Sequence, residues 1–150
     1  MAHSYTKCLF HCVFSTKERR NLIPADFQER RWAYMGGIAR NNGFAALAVG
    51  GTSDHAHALL SLRATLPVAT AVQRVKAGAS GWLHDTCPAL RDFAWQEGYG
   101  AFSIGVSQVE DTVRYIARQV AHHHRQTFAE EYVAFLKKHG VEYDERYVLG

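Results

Sequence analysis

The stretch Asp54-His55-Ala56-His57-Ala58-Leu59-Leu60 carries two imidazoles two residues apart. Side chains alternate along a strand, so His55, His57, Leu59 and Ser61 share one face while Ala56, Ala58, Leu60 and Leu62 line the other. A histidine pair placed this way either ligates a metal ion or sits hydrogen-bonded on a half-buried strand. The residues alone leave both readings open. Sixty residues on, Val109, Val113, Ile116 and Val120 repeat at helical spacing. At about 100° per residue, Tyr115 lies roughly 140° from the centre of that stripe and Gln119 about 100° from it. The two are one turn apart and stack on a polar face with Gln108, Asp111 and His122. A tyrosine there is ordinarily a surface residue with a wet hydroxyl, but the phenol is also a known covalent nucleophile. The run His122-His123-His124 offers a rival metal site. Consecutive helix residues diverge by about 100°, so all three cannot ligate one ion.

These groups need a strand beneath the histidines and a helix beneath the tyrosine. Residues 5–15 form a β-type run with Cys8, Phe10, Cys12 and Phe14 on one face and Leu9, His11 and Val13 on the other. Two apolar faces predict a central strand covered on both sides, or one that pairs across a dimer. A basic loop over 16–22 leads to Pro24, which opens a helix over about 25–42, stopped by Gly43. A strand over 44–49 joins the histidine strand, which runs to about Arg63, through the turn Gly50-Gly51-Thr52-Ser53-Asp54. Pro67 starts a second helix ending near Asp85, and residues 93–106 are strand-like with a turn or bulge around Tyr99. Ser107 and Glu110 fit a capping box for a third helix reaching about Gln126. Thr127 and Glu130 fit another, for a last helix stopping at Gly140. The order β-α-β-β-α-β-α predicts an α+β fold. Its form is a ferredoxin-like split β-α-β sandwich, one antiparallel sheet of about four strands with helices on one face. The C-terminal helices extend from that core.

At 150 residues and 47% hydrophobic content the chain suits a single domain, 1–150, with a substantial core. No apolar run approaches a membrane span, and no signal-peptide pattern opens the chain. Cys8, Cys12 and Cys87 are odd in number and lack a C-x-x-C spacing, which predicts free thiols in a reducing cytosol. A net charge of +3 does not establish nucleic-acid binding. Basic residues nevertheless cluster at Lys17, Arg19 and Arg20, at Arg30 and Arg31, at Arg74 and Lys76, and at Arg114, Arg118 and Arg125.

Taken together, Gly50-Gly51-Thr52-Ser53-Asp54-His55-Ala56-His57 and the later Tyr115-Ile116-Ala117-Arg118-Gln119 resemble the single-tyrosine transposases of the HUH endonuclease superfamily. The closest kin would be the insertion-sequence-200-like transposases of bacteria. Val13-Phe14-Ser15-Thr16-Lys17, Gln73-Arg74-Val75-Lys76, the stretch from Trp95 to Phe102 and Lys138-His139-Gly140-Val141-Glu142-Tyr143-Asp144 look similar too, so the likeness spans essentially the whole chain. Ala56 and Ala58 are smaller than the residues the family often carries there. The resemblance implies a divalent ion, Mg²⁺ or Mn²⁺, on His55, His57 and Gln119, with Tyr115 as nucleophile. It implies cutting and rejoining of single-stranded DNA through a 5′-phosphotyrosine, with hairpins recognised at element ends. It also implies phosphate contacts from Lys17, Arg19, Arg20, Arg74 and Lys76, a homodimer that joins one subunit's tyrosine to the other's histidines, and a cytoplasmic, nucleoid-associated place in a bacterium. Two alternatives stand beside it: a domesticated relative that processes chromosomal repeat hairpins, and a catalytically silent DNA-binding module.

Overall fold

In the computed structural model, which describes residues 3–123 and 125–149, the histidine strand lies inside a four-stranded antiparallel sheet. The strands are β1 (Cys8–Ser15), β2 (Ala45–Gly51), β3 (His55–Leu62) and β4 (Gly100–Ser103), in the order β2-β3-β1-β4. Antiparallel register sets Val13 opposite His57 and Ser15 opposite His55. Strand β1 is paired on both edges, by β3 and β4, so it is a central strand, and its two apolar faces are each covered by helices of the same chain.

Alternation along the strands then decides what covers each face. Cys12, Phe14, Ala56, Ala58, Leu60 and Leu62 form a core with Met35 and Ala39 of α1 (Ala25–Asn41) and Val72, Val75 and Ala79 of α2 (Val68–Thr86). The small alanines between and beyond the histidines let these helices lie close. Val13 and Phe102, on the opposite face, pack against Phe128, Tyr132 and Leu136 of α5 (Phe128–Lys138). The α+β antiparallel architecture is as the element order predicts. The C-terminal helices fold back over the histidine face instead of extending from the core.

Some boundaries differ from the sequence reading. Strand β1 begins at Cys8, not residue 5, and β4 spans only Gly100–Ser103 of the strand-like 93–106 region. The segment before β4 is a loop pinned by a bridge between Thr16 and Trp95 and by Ser15 N–H donating to Gln96 Oε1 at 2.7 Å. The expected third helix is two, α3 (Val109–Ala117) and α4 (Gln119–His122), interrupted at Arg118 with φ −103° and ψ 19°. The Ser107–Glu110 capping box does not form; Gly105 N–H donates to Gln108 Oε1 at 2.8 Å instead. The Thr127–Glu130 box does form and opens α5, and Gly140 follows that helix at φ 66°. One buried cation stands apart. Arg31 has no hydrogen-bond partner among the described residues, and its guanidinium lies 4.2 Å from the Trp95 ring centre and 4.8 Å from that of Trp32. Burial pushes its pKa down to about 9.

Two glycines govern the approach of α3. A Cβ on Gly50 would lie 2.5 Å from the Ile116 carbonyl oxygen, so the backbone of α3 rests directly on β2. Gly51, at φ 151°, leaves no room for a side chain beside the His55 carbonyl. No helix of the described residues is long and apolar enough to cross a membrane.

Candidate metal and nucleophile site

The imidazoles of His55 and His57 are fully buried, with ring centres 5.1 Å apart. Their outer nitrogens are held: His55 Nδ1 lies 2.7 Å from Asp54 Oδ1 and 3.0 Å from Thr52 Oγ1, and His57 Nδ1 lies 2.8 Å from His11 Nε2. Both Nε2 atoms are thereby aimed inward. Gln119 Oε1 meets His55 Nε2 at 2.9 Å. The break at Arg118 makes this possible, because it turns Gln119 into the site and leaves Val120 outside. The predicted stripe therefore loses Val120, 57% exposed, and gains Gln119, 1% exposed.

Glu131, which the sequence reading did not single out, occupies the centre. Its Oε1 lies 3.0 Å from His57 Nε2, 3.1 Å from His123 Nε2 and 3.6 Å from His55 Nε2. Its Oε2 accepts the hydroxyl of Tyr115 and lies 3.3 Å from Gln119 Nε2. His122 Nε2 is 3.4 Å from the same hydroxyl. Of the histidine run, His123 joins the cluster, His122 flanks the tyrosine and His124 lies outside the described residues. A signal for Glu131 existed: it sits three residues after Phe128 and four before Phe135, on the buried side of α5. His11 could likewise be placed by alternation with Leu9 and Val13.

Burial governs the electrostatics. It lowers the pKa of His57 to about 4, against the opposing pull of Glu131. Burial, with His57 adding to it, lowers that of His11 to about 3. Burial would raise Glu131, but the donors His123, His57 and Tyr115 hold its carboxyl well below the usual range. Burial, reinforced by that carboxylate, pushes the Tyr115 phenol well above its ordinary value. At neutral pH His57 and His11 are thus neutral imidazoles beside a carboxylate and a protonated phenol.

That donor set fits a divalent ion. The ligand atoms of His55, His57, His123 and Glu131 all lie within 4.8 Å of one another. Donors about 2.1 Å from a common ion stand roughly 3.0 to 3.5 Å apart, close to the 3.0, 3.1 and 3.6 Å that separate Glu131 Oε1 from the Nε2 atoms of His57, His123 and His55. Ligation by Nε2 places each Nδ1 proton on a waiting acceptor, Asp54 or His11, as outer partners of metal-bound histidines do.

The predicted phosphate contacts are dispersed. Lys17, Arg20 and Arg74 are exposed. Arg19 donates to the Leu149 carbonyl, and Lys76 donates to the carbonyls of Gln96 and Gly98. Arg74 and Lys76 ride on α2, which covers the sheet face away from the histidines. A different, mostly basic surface adjoins Tyr115: a cleft of about 540 Å³ lined by Arg114, Tyr115, Arg118, His122 and Arg125, with Asp111 paired to Arg114. On the tyrosine's other flank a second cleft of about 260 Å³ is lined by His11, Gln108, Phe135, Lys138 and His139, among others.

Residues 4–119 match the family described as Transposase IS200 like, and the chain belongs to that family. Its fold is similar to that of a candidate transposase from Deinococcus radiodurans R1, with 19% identity, 79% of this chain and 96% of that one covered, and a TM-score of 0.64. It is also similar to a REP-associated tyrosine transposase solved with a REP hairpin, with 17% identity, 82% and 73% covered, and a TM-score of 0.58. No curated protein matches.

Proposed function

We infer that this transposase cuts and rejoins single-stranded DNA through a covalent bond to Tyr115. The observation that carries the reading is the shared carboxylate: Tyr115 and His57 both bind Glu131, which sets the phenol beside the histidine pair. A divalent ion held by His55, His57 and Gln119 would neutralise charge on the scissile phosphate and align its oxygens for in-line attack. Tyr115 oxygen then bonds to phosphorus as the bond to the 3′ oxygen breaks, leaving a 5′-phosphotyrosine and a free 3′-hydroxyl. The phenolic proton has two acceptors in reach, Glu131 Oε2 and His122 Nε2. Because the ester keeps the bond energy, a second 3′-hydroxyl can reverse the step and join strands without ATP.

Arg114, Arg118 and Arg125 along the cleft beside Tyr115 supply the phosphate track, with the exposed Lys17, Arg20 and Arg74 as outer contacts. The working unit is a homodimer by resemblance, whereas the closed geometry within one chain favours a site assembled in cis. The fold shared with the REP-hairpin-bound transposase supports a second reading of the substrate, a chromosomal repeat hairpin in place of an element end. Trapping a protein–DNA adduct, and its loss in Tyr115→Phe, tests the covalent step.

A further inference from the structure

Glu131 is 1% exposed, yet its carboxylate lies among four imidazoles, an amide and a phenol. A buried anion of this kind requires a compensating positive charge, and the ligand atoms of Glu131, His55, His57 and His123 lie within 4.8 Å of one another, close enough to share one cation. Its two oxygens are also used differently. Oε1 faces the Nε2 atoms of His55, His57 and His123, while Oε2 faces Tyr115 and the Gln119 amide. The capping box at Thr127 and Glu130 anchors the helix start from which Glu131 projects, and Phe128 and Tyr132 fix its flanks in the core.

We propose that Glu131, together with His123, completes the metal site, and that the carboxylate bridges the ion to the Tyr115 hydroxyl. Oε1 is the ligand and Oε2 is the hydrogen-bond acceptor that fixes the phenol beside it. The proposal rests on the reading of His55 and His57 as ligands and deepens it. Two imidazoles and a neutral amide form a weak set, open to any hard cation. Adding a carboxylate and a third imidazole gives a tighter set that favours Mn²⁺, Co²⁺ or Zn²⁺ over Mg²⁺. It also makes Glu131 a positioning residue for the nucleophile, contributed by the last helix.

The experiment is direct metal binding by the full chain without DNA. Mn²⁺ and Co²⁺ are titrated by calorimetry, and the Co²⁺ absorption spectrum is recorded, for the unaltered protein, Glu131→Gln, Glu131→Asp, His123→Ala and His55→Ala. Glu131→Gln should weaken Mn²⁺ binding roughly tenfold or more and change the Co²⁺ spectrum, and His123→Ala should shift the spectrum as well. Glu131→Asp retains a carboxylate in a shorter arm; if Glu131→Gln does not fold, its affinity decides, and an intermediate loss supports the assignment. Unchanged affinity and spectrum in the folded Glu131 variants, with binding lost in His55→Ala, would overturn the Glu131 assignment and leave the histidine site standing. Absence of any divalent-ion binding by the unaltered protein would remove both.

Discussion

At the scale of residues, the site depends on keeping imidazoles neutral inside the protein. His57 and His11 have pKa values pushed down to about 4 and about 3, below the ordinary 6.5 that an unfolded chain would show. Between those values the unfolded state binds more protons than the folded state, so stability rises with pH. It is full above about pH 6.5 and is lost as pH falls towards 4. Glu131 acts in the same direction but only below its ordinary value of 4.5. The window from 6.5 to 4.5 therefore isolates the histidines. Urea midpoints measured with chelator present should fall steeply across it, by on the order of 2 kcal/mol in stability. A flat profile there would mean that the imidazoles are not held neutral by burial. The four residues first singled out, His55, His57, Tyr115 and Gln119, do converge. Strand alternation placed the histidine pair, while the resemblance, not periodicity, picked out Gln119. Glu131 stayed hidden because a charged residue on a helix is read as solvated unless its partners on other elements are known.

At the scale of elements, α3 reaches the sheet because Gly50 has no side chain. A Cβ there would meet backbone, the Ile116 carbonyl oxygen at 2.5 Å, which no rotamer change can relieve. Gly50→Ala should therefore destabilise the fold by about 1–3 kcal/mol. It should also weaken metal binding, because Gln119 rides on the segment that is displaced. Thermal melts and Mn²⁺ titration check the two effects, and a variant with unchanged Tm would show that α3 does not rest on β2 as described. The interruption at Arg118 was not legible in the sequence, since Val109, Val113, Ile116 and Val120 keep good helical spacing through it. Tertiary contact decides it: Gln119 gains His55 as a partner, and Val120 gives up its place on the stripe. The basic residues on α2 illustrate the opposite case. The resemblance grouped Arg74 and Lys76 with Lys17 as phosphate contacts, but α2 carries them to the far side of the sheet, where Lys76 donates to loop carbonyls.

At the scale of the whole molecule, the split β-α-β topology gives a sheet with an α-helical layer on each face and β2 and β4 at its edges. The topology was readable from the order of elements. The second layer was not, because nothing local in residues 109–138 says which way the chain turns after β4. Whether one chain or two build each site can be measured by mixing. Tyr115→Phe subunits combined with His55→Ala subunits regain cleavage if the tyrosine acts across a dimer, and stay inactive if it acts in cis. The contact between Tyr115 and Glu131 within one chain leads us to expect an inactive mixture. Recovery of activity would show that α3 is exchanged between subunits.

The central claim is that Tyr115 forms the covalent bond to DNA, and the most direct measurement is an adduct that survives denaturation. The protein is incubated with single-stranded DNA from the flanks of its own gene and Mn²⁺, denatured, digested and mapped by mass spectrometry. The account expects a 5′-phosphorylated nucleotide on the peptide that contains Tyr115. It expects none in Tyr115→Phe, which keeps the ring, folds normally and still binds the DNA. An adduct of equal yield in that variant, mapped to another residue such as Tyr99, would contradict it.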